Sequence, residues 1–474
     1  MNIVLINPPI QLGHSISRQE HRRTILNIAA PLGIAYIAAT LEKNNYKVKI
    51  FDCAIEMLHL KLIEYLKIKR PNIVGITATS LGFYSAKKIA EDIRSLLPKA
   101  NIIIGGPHVT ALPSEVMLFD CFDIGVIGEG ELTFLELVKR IETSGADCFE
   151  DISGIVYRKN NKIMTNKKRD LINNLDDIPF PARHLLPPLS KYFSTIGSYR
   201  RLPLAHIIST RGCLMKCSFC DQSVFGSTYR TRSADNILEE IELLIDKFGA
   251  KEIKFFDDNF TWNKELVFEI CDKIQERNIK FSWVCFASVN TVSYELLKRM
   301  KKAGCWEVSY GLESGDENVL KFLKSGITLA QNERAVKSAK KAGLSVRGHF
   351  VVGTPWESKN SLQKTLDFAK KSDIDYALFI KFIPYPGSEI SKMLTKKGYY
   401  FDFNKRLSVV NNNNIMYIPE GLDKEELIKF FVRARKEFYF RFAYILRKFR
   451  AIRTWIQLKD HIIGVISLLS QPKN

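Results

Sequence analysis

Three cysteines, Cys213, Cys217 and Cys220, stand within eight residues at the spacing CxxxCxxC. Thiolates are soft ligands, and soft ligands select zinc or an iron–sulfur cluster. A structural zinc site usually takes four protein ligands, often from CxxC pairs. No fourth Cys or His follows nearby; the next cysteine is Cys271. Three protein ligands leave one metal coordination position open, as chemistry at a metal requires. The remaining cysteines, Cys53, Cys121, Cys148, Cys271, Cys285 and Cys305, are scattered and read as small core hydrophobes.

An alternation of strand and helix must position this triad. Strand signals at Ala205–Ser209, Glu252–Phe256, Ser282–Phe286, Glu307–Gly311, Val346–Val352 and Ala377–Phe382 are separated by helical patterns such as Ala234–Lys247 and Ser293–Lys302. Strands spaced by helix-length segments imply βαβ units and a parallel sheet. Six units are fewer than the eight of a full barrel. A partial (β/α)6 barrel is therefore expected over residues 199–400, with an open Rossmann-like sheet as the alternative.

A second alternation occupies residues 1–145. Strands are expected at Ile3–Ile6, Lys47–Phe51, Ile73–Thr77, Asn101–Ile104 and Asp123–Ile127, with helices at Leu32–Leu41, at Tyr84–Leu96 and after Glu131. This α/β pattern reads as a doubly wound, Rossmann-like domain, whose ligands bind at the carboxyl ends of the strands. Residues 146–198 read as a linker. It holds a small hairpin, Ile155–Arg158 and Lys162–Thr165, around Asn160-Asn161, followed by Pro179, Pro181, Pro187 and Pro188. Residues 401–474 form a helical C-terminal region, interrupted by the low-complexity Asn411–Asn414.

The 474 residues carry a net charge of +19, which favours an anionic partner without naming one. No apolar run approaches the length of a membrane span. The N-terminus has neither a charged leader nor a small-residue cleavage site, so a reducing cytoplasm is the expected compartment. Between Asp423 and Asn474 there are 12 basic and 5 acidic residues. Phe430, Phe431, Phe438, Tyr439, Phe442, Ile445 and Phe449 recur there at three- and four-residue steps. That stripe suits a peripheral helix on anionic lipid, which would make a lipid-like substrate plausible. It suits equally a helix packed over the barrel. No nucleic-acid motif accompanies the charge, and none is expected to bind.

With Phe219 before its third cysteine and a strand before it, the CxxxCxxC motif resembles the radical SAM superfamily. The resemblance implies a 4Fe-4S cluster on Cys213, Cys217 and Cys220, with S-adenosylmethionine (SAM) on the fourth iron. It implies an electron donor such as flavodoxin or ferredoxin, and cleavage of SAM to a 5′-deoxyadenosyl radical. Asp257 and Asp258, in Phe255-Phe256-Asp257-Asp258-Asn259, fall where the family contacts the SAM amino group. Glu313, in Tyr310-Gly311-Leu312-Glu313-Ser314-Gly315, falls near its ribose or amino group. Arg347 would pair the SAM carboxylate, Tyr385-Pro386-Gly387 would lie near adenine, and Phe219 would also contact SAM. Cys285-Phe286-Ala287-Ser288-Val289-Asn290 departs from the Arg-Val-Asp ending common in relatives.

The N-terminal part resembles the cobalamin-binding domain fused to one radical SAM subclass. Asn7-Pro8-Pro9, Ala30-Pro31-Leu32-Gly33, Thr79-Ser80-Leu81, Gly105-Gly106-Pro107-His108 and Gly128-Glu129-Gly130-Glu131 fall at the expected strand ends. The implied cobalamin contacts are Asn7, Pro8, Thr79, Ser80, Gly105, Gly106, Gly128, Glu129 and Gly130. The Asp-x-His-x-x-Gly signature is missing, and neither His14 nor His21 stands at its spacing, so cobalt is expected without a histidine from this loop. For His108 a loop hydrogen bond is preferred to a lower-ligand role. The scattered N-terminal cysteines argue against a methylthiotransferase. The resemblance, covering about residues 1–400, implies methylation of an unactivated carbon of a small molecule through the radical and methylcobalamin. The alternative is a non-methylating cyclase or rearrangement enzyme of the anaerobic tetrapyrrole type.

Overall fold

The structure, a computed structural model, describes residues 1–9, 28–55, 58–144, 148–195, 197–404, 415–442 and 444–446. His14, His21, Asn411–Asn414 and Phe449 lie outside the described residues.

The first sheet has seven strands in the order β2-β1-β3-β4-β5-β6-β7. They are β1 (Asn2–Asn7), β2 (Lys47–Asp52), β3 (Ile73–Thr77), β4 (Asn101–Gly105), β5 (Ile124–Val126), β6 (Ile155–Lys159) and β7 (Lys162–Thr165). β1 to β5 are parallel, and Ile3 to Ile6 are buried on both faces, as central strands between helix layers must be. The helices include α1 (Leu32–Lys43), α2 (Leu58–Lys69), α3 (Phe83–Leu96), the short α4 (Pro107–Ala111) and α5 (Pro113–Val116), and α6 (Glu131–Ser144). Asn160 and Asn161 both adopt positive φ, 50° and 59°, the twist a two-residue hairpin turn needs. The hairpin expected within the linker is the antiparallel edge of this sheet: Val126 pairs with Ile155, so the sheet runs on to Thr165.

The second sheet has six parallel strands in chain order: β8 (Leu204–Ile207), β11 (Glu252–Phe255), β12 (Ser282–Ala287), β13 (Cys305–Glu313), β14 (Ser345–Val352) and β15 (Tyr376–Lys381). The small ribbon β9 (Thr210–Arg211) and β10 (Arg230–Thr231) follows β8. The helices are α7 (Ala234–Asp246), α8 (Lys264–Glu276), α9 (Tyr294–Lys302), α10 (Glu317–Leu323), α11 (Leu329–Lys341), α12 (Lys359–Lys371) and α13 (Glu389–Lys396). A strictly sequential order with right-handed crossovers puts every helix on one face of the sheet, and such a sheet curls. The doubly wound alternative needs a reversal of strand order. There is none, and β15 does not pair with β8, so the sheet is a partial barrel.

A last helix, α14 (Lys424–Tyr439), begins with a capping box between Asp423 and Glu426 and lies over β15 and α12. Leu427, Phe430, Phe431, Ala434 and Phe438 are buried there, and the Tyr439 hydroxyl donates to the Ala377 carbonyl at 2.9 Å. This corrects the lipid-facing reading for most of the stripe: those aromatics cover the barrel. Phe442 and Ile445 remain exposed, at 81% and 48%. Among the described residues no helix is long and apolar enough to cross a membrane. Cys53, Cys121, Cys271, Cys285 and Cys305 are buried as expected, whereas Cys148 is exposed and is not a core residue.

Candidate functional site

The chain leaves β8 and turns sharply at Gly212, with φ +87°, where a Cβ would lie 2.1 Å from the Thr228 carbonyl oxygen. Only glycine permits that turn, and it delivers Cys213 to the carboxyl end of the barrel. The cysteine loop is then gripped along its length. Gln222 Nε2 donates to the Cys213 and Met215 carbonyls, both at 2.9 Å. Ser218 donates its N–H and hydroxyl to the end of α10 at Leu323 and Phe322, and Cys217 bridges antiparallel to Lys324. A mononuclear zinc centre would take a fourth protein ligand, which the Cys213–Cys220 motif does not itself supply. Burial pushes the Cys217 thiol up to about 12, so a bound cation is needed to hold it as thiolate. Three thiols on one fixed loop fit a cluster that takes one sulfur per iron.

The later strand ends surround this loop. Asp258 is exposed beside it, and its charge reaches the Cys213 and Cys220 thiols. Asp257 does something else. Its oxygens accept from Ser209 N–H (2.7 Å), Ser209 Oγ (2.5 Å) and Thr210 N–H (2.7 Å). The carboxylate is consumed in holding the start of the cysteine loop, which corrects its reading as a SAM contact. Glu313 is buried with φ +60°, and burial raises its carboxyl despite Lys324 Nζ at 3.5 Å. Lys324 also donates to the Gly311 carbonyl at 2.9 Å, and a Cβ on Gly311 would strike Glu313 Oε1. Gly311, Glu313 and Lys324 therefore form one cradle next to Cys217.

Arg347 is a second correction. It grips Glu307 through Nε–Oε1 at 2.8 Å and Nη2–Oε2 at 3.1 Å, donates to the Gly197 carbonyl at 2.6 Å, and stacks on Tyr376. It sits near the start of β14, and its fork is already occupied, so it is not free for a SAM carboxylate. Phe219 packs with Val319, Leu323, Phe382 and Ile390, anchoring the loop in the core. Tyr385 is half-buried near Cys220, and a Cβ on Gly387 would lie 1.9 Å from Asp221 Oδ1, so this turn presses on the cysteine loop. At the divergent third strand end, Asn290 Nδ2 reaches Met215 Sδ at 3.8 Å, inside the same loop.

In the first domain the loops after β1, β3, β4 and β5 share one edge of the sheet, the carboxyl edge where ligands of such sheets bind. Thr79 caps the turn Ser80–Gly82, and Ser80 Oγ meets His108 Nδ1 at 3.1 Å. Burial lowers His108 to about 4, and its ring packs against Phe83, so it is a neutral residue at the start of α4. Gly106 (φ +104°) cannot carry a Cβ, which would lie 2.8 Å from the Ala78 carbonyl. Gly105 makes only ordinary contacts, while Gly128 adopts φ +80° and Gly130 lies under Ile37. Asn7 donates to Asp52 at 2.8 Å, and Pro8 is buried beside it. This glycine-rich edge fits a large flat ligand approaching backbone.

Glu129 is a third correction. Its carboxylate accepts from Arg211 Nη1 at 2.7 Å, Arg230 Nη1 at 3.0 Å and Ile172 N–H at 2.8 Å. Glu131 takes the other side of the Arg211 fork at 2.5 Å. Arg211 and Arg230 are cross-strand partners in the β9–β10 ribbon. The ribbon that leads into Cys213 therefore clamps the first domain's Gly128–Glu131 loop, and Glu129 is spent on that joint. Burial favours the neutral carboxyl of Glu129, but hydrogen bonds from Arg230 and Arg211 outweigh it and hold it below its usual range. Lys324 and Arg211 escaped the sequence reading because their partners lie 11 and about 80 residues away with no local pattern; a charged residue directly before Gly212-Cys213 was the only available sign.

Comparison with known proteins agrees with this architecture. Residues 207–369 match the radical SAM superfamily model, and residues 22–138 match the B12-binding domain model. An uncharacterized methyltransferase of Pyrococcus horikoshii is 35% identical over 93% of both chains. The cytidylyl-2-hydroxyethylphosphonate methyltransferase of Streptomyces wedmorensis is 26% identical over 92% of this chain and 89% of its own. The solved cobalamin-dependent SAM radical enzyme OxsB superposes with TM-score 0.72 at 16% identity, covering 99% of this chain and 72% of that one. TsrM of Kitasatospora setae, a radical SAM methyltransferase, superposes with TM-score 0.67 at 19% identity over 84% and 75%. With its cysteine loop on a six-stranded partial barrel and a B12-binding domain clamped against it, the chain belongs to the cobalamin-dependent radical SAM methyltransferase family.

Proposed function

We propose that the protein methylates a carbon of a small molecule bound between its two domains. The joint of Arg211 with Glu129 and Glu131 carries the reading: it sets the B12-binding edge against the cysteine loop, so a substrate between them meets both. When bound, the cluster and SAM supply hydrogen abstraction and cobalamin supplies the methyl group. Cys213, Cys217 and Cys220 hold the cluster. Gly311, Glu313, Asp258 and Tyr385 line the SAM side, and Asp257 fixes the loop they face. Thr79, Ser80, Gly105, Gly106 and Gly128 line the cobalamin side. The electron comes from a flavodoxin or ferredoxin. Contact with anionic lipid is confined to the exposed Phe442, Ile445 and Leu446 and the basic segment after them.

Anaerobic turnover with SAM labelled in its methyl group tests the reading. Label in the product, with deoxyadenosine formed, supports it. Deoxyadenosine with an unlabelled, rearranged product would replace it by the cyclase reading. That reading has its own relative, an anaerobic magnesium-protoporphyrin IX monomethyl ester cyclase of Rubrivivax gelatinosus, 27% identical over 88% of this chain.

A further inference from the structure

Central strands of a parallel sheet are normally buried on both faces. In this barrel the residues facing the helices obey that rule: Phe255, Cys285 and Phe350 are buried, and so is Ala377. Some of their inward neighbours obey it too, among them His206, Val284, Ser309 and Arg347, and others do not. Lys254, Phe256, Phe286, His349 and Leu378 are only half-buried, and Ile380 is exposed at 42%. The concave face therefore encloses an open hollow beneath the cysteine loop.

That hollow is lined by aromatic and aliphatic side chains and by two imidazoles, His206 and His349, and Lys254 is the charge on it without a partner among the described residues. Lys254 Nζ lies 5.6 Å from the ring centroids of both Phe256 and Phe286. Among the described residues it has no carboxylate within salt-bridge distance and no hydrogen-bond acceptor. The two acids below it are occupied. Glu307 is held by the Arg347 fork. Glu252 accepts the Arg200 and Arg201 N–H groups and the Ser282 hydroxyl. His206 stacks on Phe256 at 4.2 Å, and His349 lies 6.0 Å from Phe286; the Nε2 atoms of both are buried without a partner. An ammonium without a counter-ion is costly inside a protein. Desolvation and the nearby Arg347 accordingly push Lys254 down to about 8. Two aromatic faces compensate it only in part.

We infer that the barrel hollow receives an oxyanion of the substrate, a phosphate, phosphonate or carboxylate, with Lys254 as its counter-ion and the Phe256 and Phe286 rings against the adjoining apolar part. The inference rests on the proposed function only in that a substrate whose reacting carbon lies between the two domains extends one end into the barrel hollow. The chemistry is that of a preformed pocket: a largely apolar wall with one unpaired charge fixing orientation. Lys254 is a binding residue that takes no part in the hydrogen bonds of the cysteine loop, so its role is to select the substrate.

The test uses phenylphosphonate, which joins an oxyanion to a ring. Binding to the reconstituted full-length protein is read by calorimetry and phosphorus NMR line broadening before any reductant is added. Wild type should bind phenylphosphonate and not benzyl alcohol. Lys254→Met should weaken binding by at least about thirty-fold, the usual effect of removing one partner of a desolvated charge pair. Lys254→Arg should stay within about threefold. Lys298→Met, which removes an exposed lysine of α9, should bind like wild type and so exclude a general effect of the basic surface. Melting curves accompany each variant, and Lys254→Gln repeats the loss if Lys254→Met folds poorly. No binding by wild type, equal binding of benzyl alcohol, or affinity unchanged in Lys254→Met and Lys254→Gln would overturn the inference. Since no turnover is needed, failure of methyl transfer leaves this result readable. Methyl transfer without phenylphosphonate binding removes this inference alone.

Discussion

Replacing Arg211 with methionine is the sharpest test of the joint between the domains. In the native protein two carboxylates, Glu129 and Glu131, meet two guanidiniums, Arg211 and Arg230, and the side chains of all four are at most 11% exposed. Arg211→Met leaves Glu129 with Arg230 and the Ile172 N–H. Among the described residues Glu131 then keeps no hydrogen-bonding partner of its own. Stranding one member of a buried pair costs about 3–5 kcal/mol. Glu131 is the first residue of α6, and the helix N-terminus offsets about 0.3–1 kcal/mol of that. The expected loss is therefore about 2–5 kcal/mol, read from urea unfolding followed by tryptophan fluorescence. The double variant Arg211→Met/Glu131→Gln removes the stranded charge and should be more stable than Arg211→Met by ~1 kcal/mol or more. If the two substitutions add within about 0.5 kcal/mol, as independent sites do, the carboxylate is not stranded and the reasoning fails.

Cys217→Ala should lower iron in the reconstituted protein from one cluster per chain to background and abolish deoxyadenosine formation; wild-type levels of either would end the cluster assignment. Gly212→Ala forces a Cβ to 2.1 Å from the Thr228 carbonyl at φ +87°, so we expect a loss above the ~1–2 kcal/mol of left-handed strain alone, seen as a lowered Tm together with poor cluster loading. Asp257 is pushed up to about 6 by burial, above its unfolded value. In the window between those values the folded chain holds the extra proton, so this group makes stability fall as pH rises toward 6. Asp257→Asn should flatten that part of the urea midpoint against pH, and an unchanged slope would refute it. Phe442→Asp with Ile445→Asp should reduce sedimentation with anionic vesicles at low salt; equal recovery of variant and wild type removes lipid contact from the proposal.

The sequence alone sufficed for the parallel strands and singled out the cysteine triad. Periodicity located all five parallel strands of the first sheet and all six of the barrel within one or two residues, because each is a local run whose side chains repeat along the backbone. The triad was legible for the same reason: its three sulfurs lie within eight residues and need no distant partner to be read. Tertiary structure decided what each strand-end residue does. Asp257, Glu129 and Arg347 stand at positions that suit a cofactor contact, yet their charges are spent on Ser209 and Thr210, on Arg211 and Arg230, and on Glu307. The aromatic stripe of α14 fits membrane and barrel equally well as a pattern, and only packing against β15 shows which face is covered. Lys254 is an ordinary lysine in the sequence, made unusual because six strands curl round it and, among the described residues, no carboxylate comes within salt-bridge distance. A side chain's partner is set by where the chain brings other segments, across separations of 40 to 101 residues in these cases, and charge pairing at that range leaves no periodic trace.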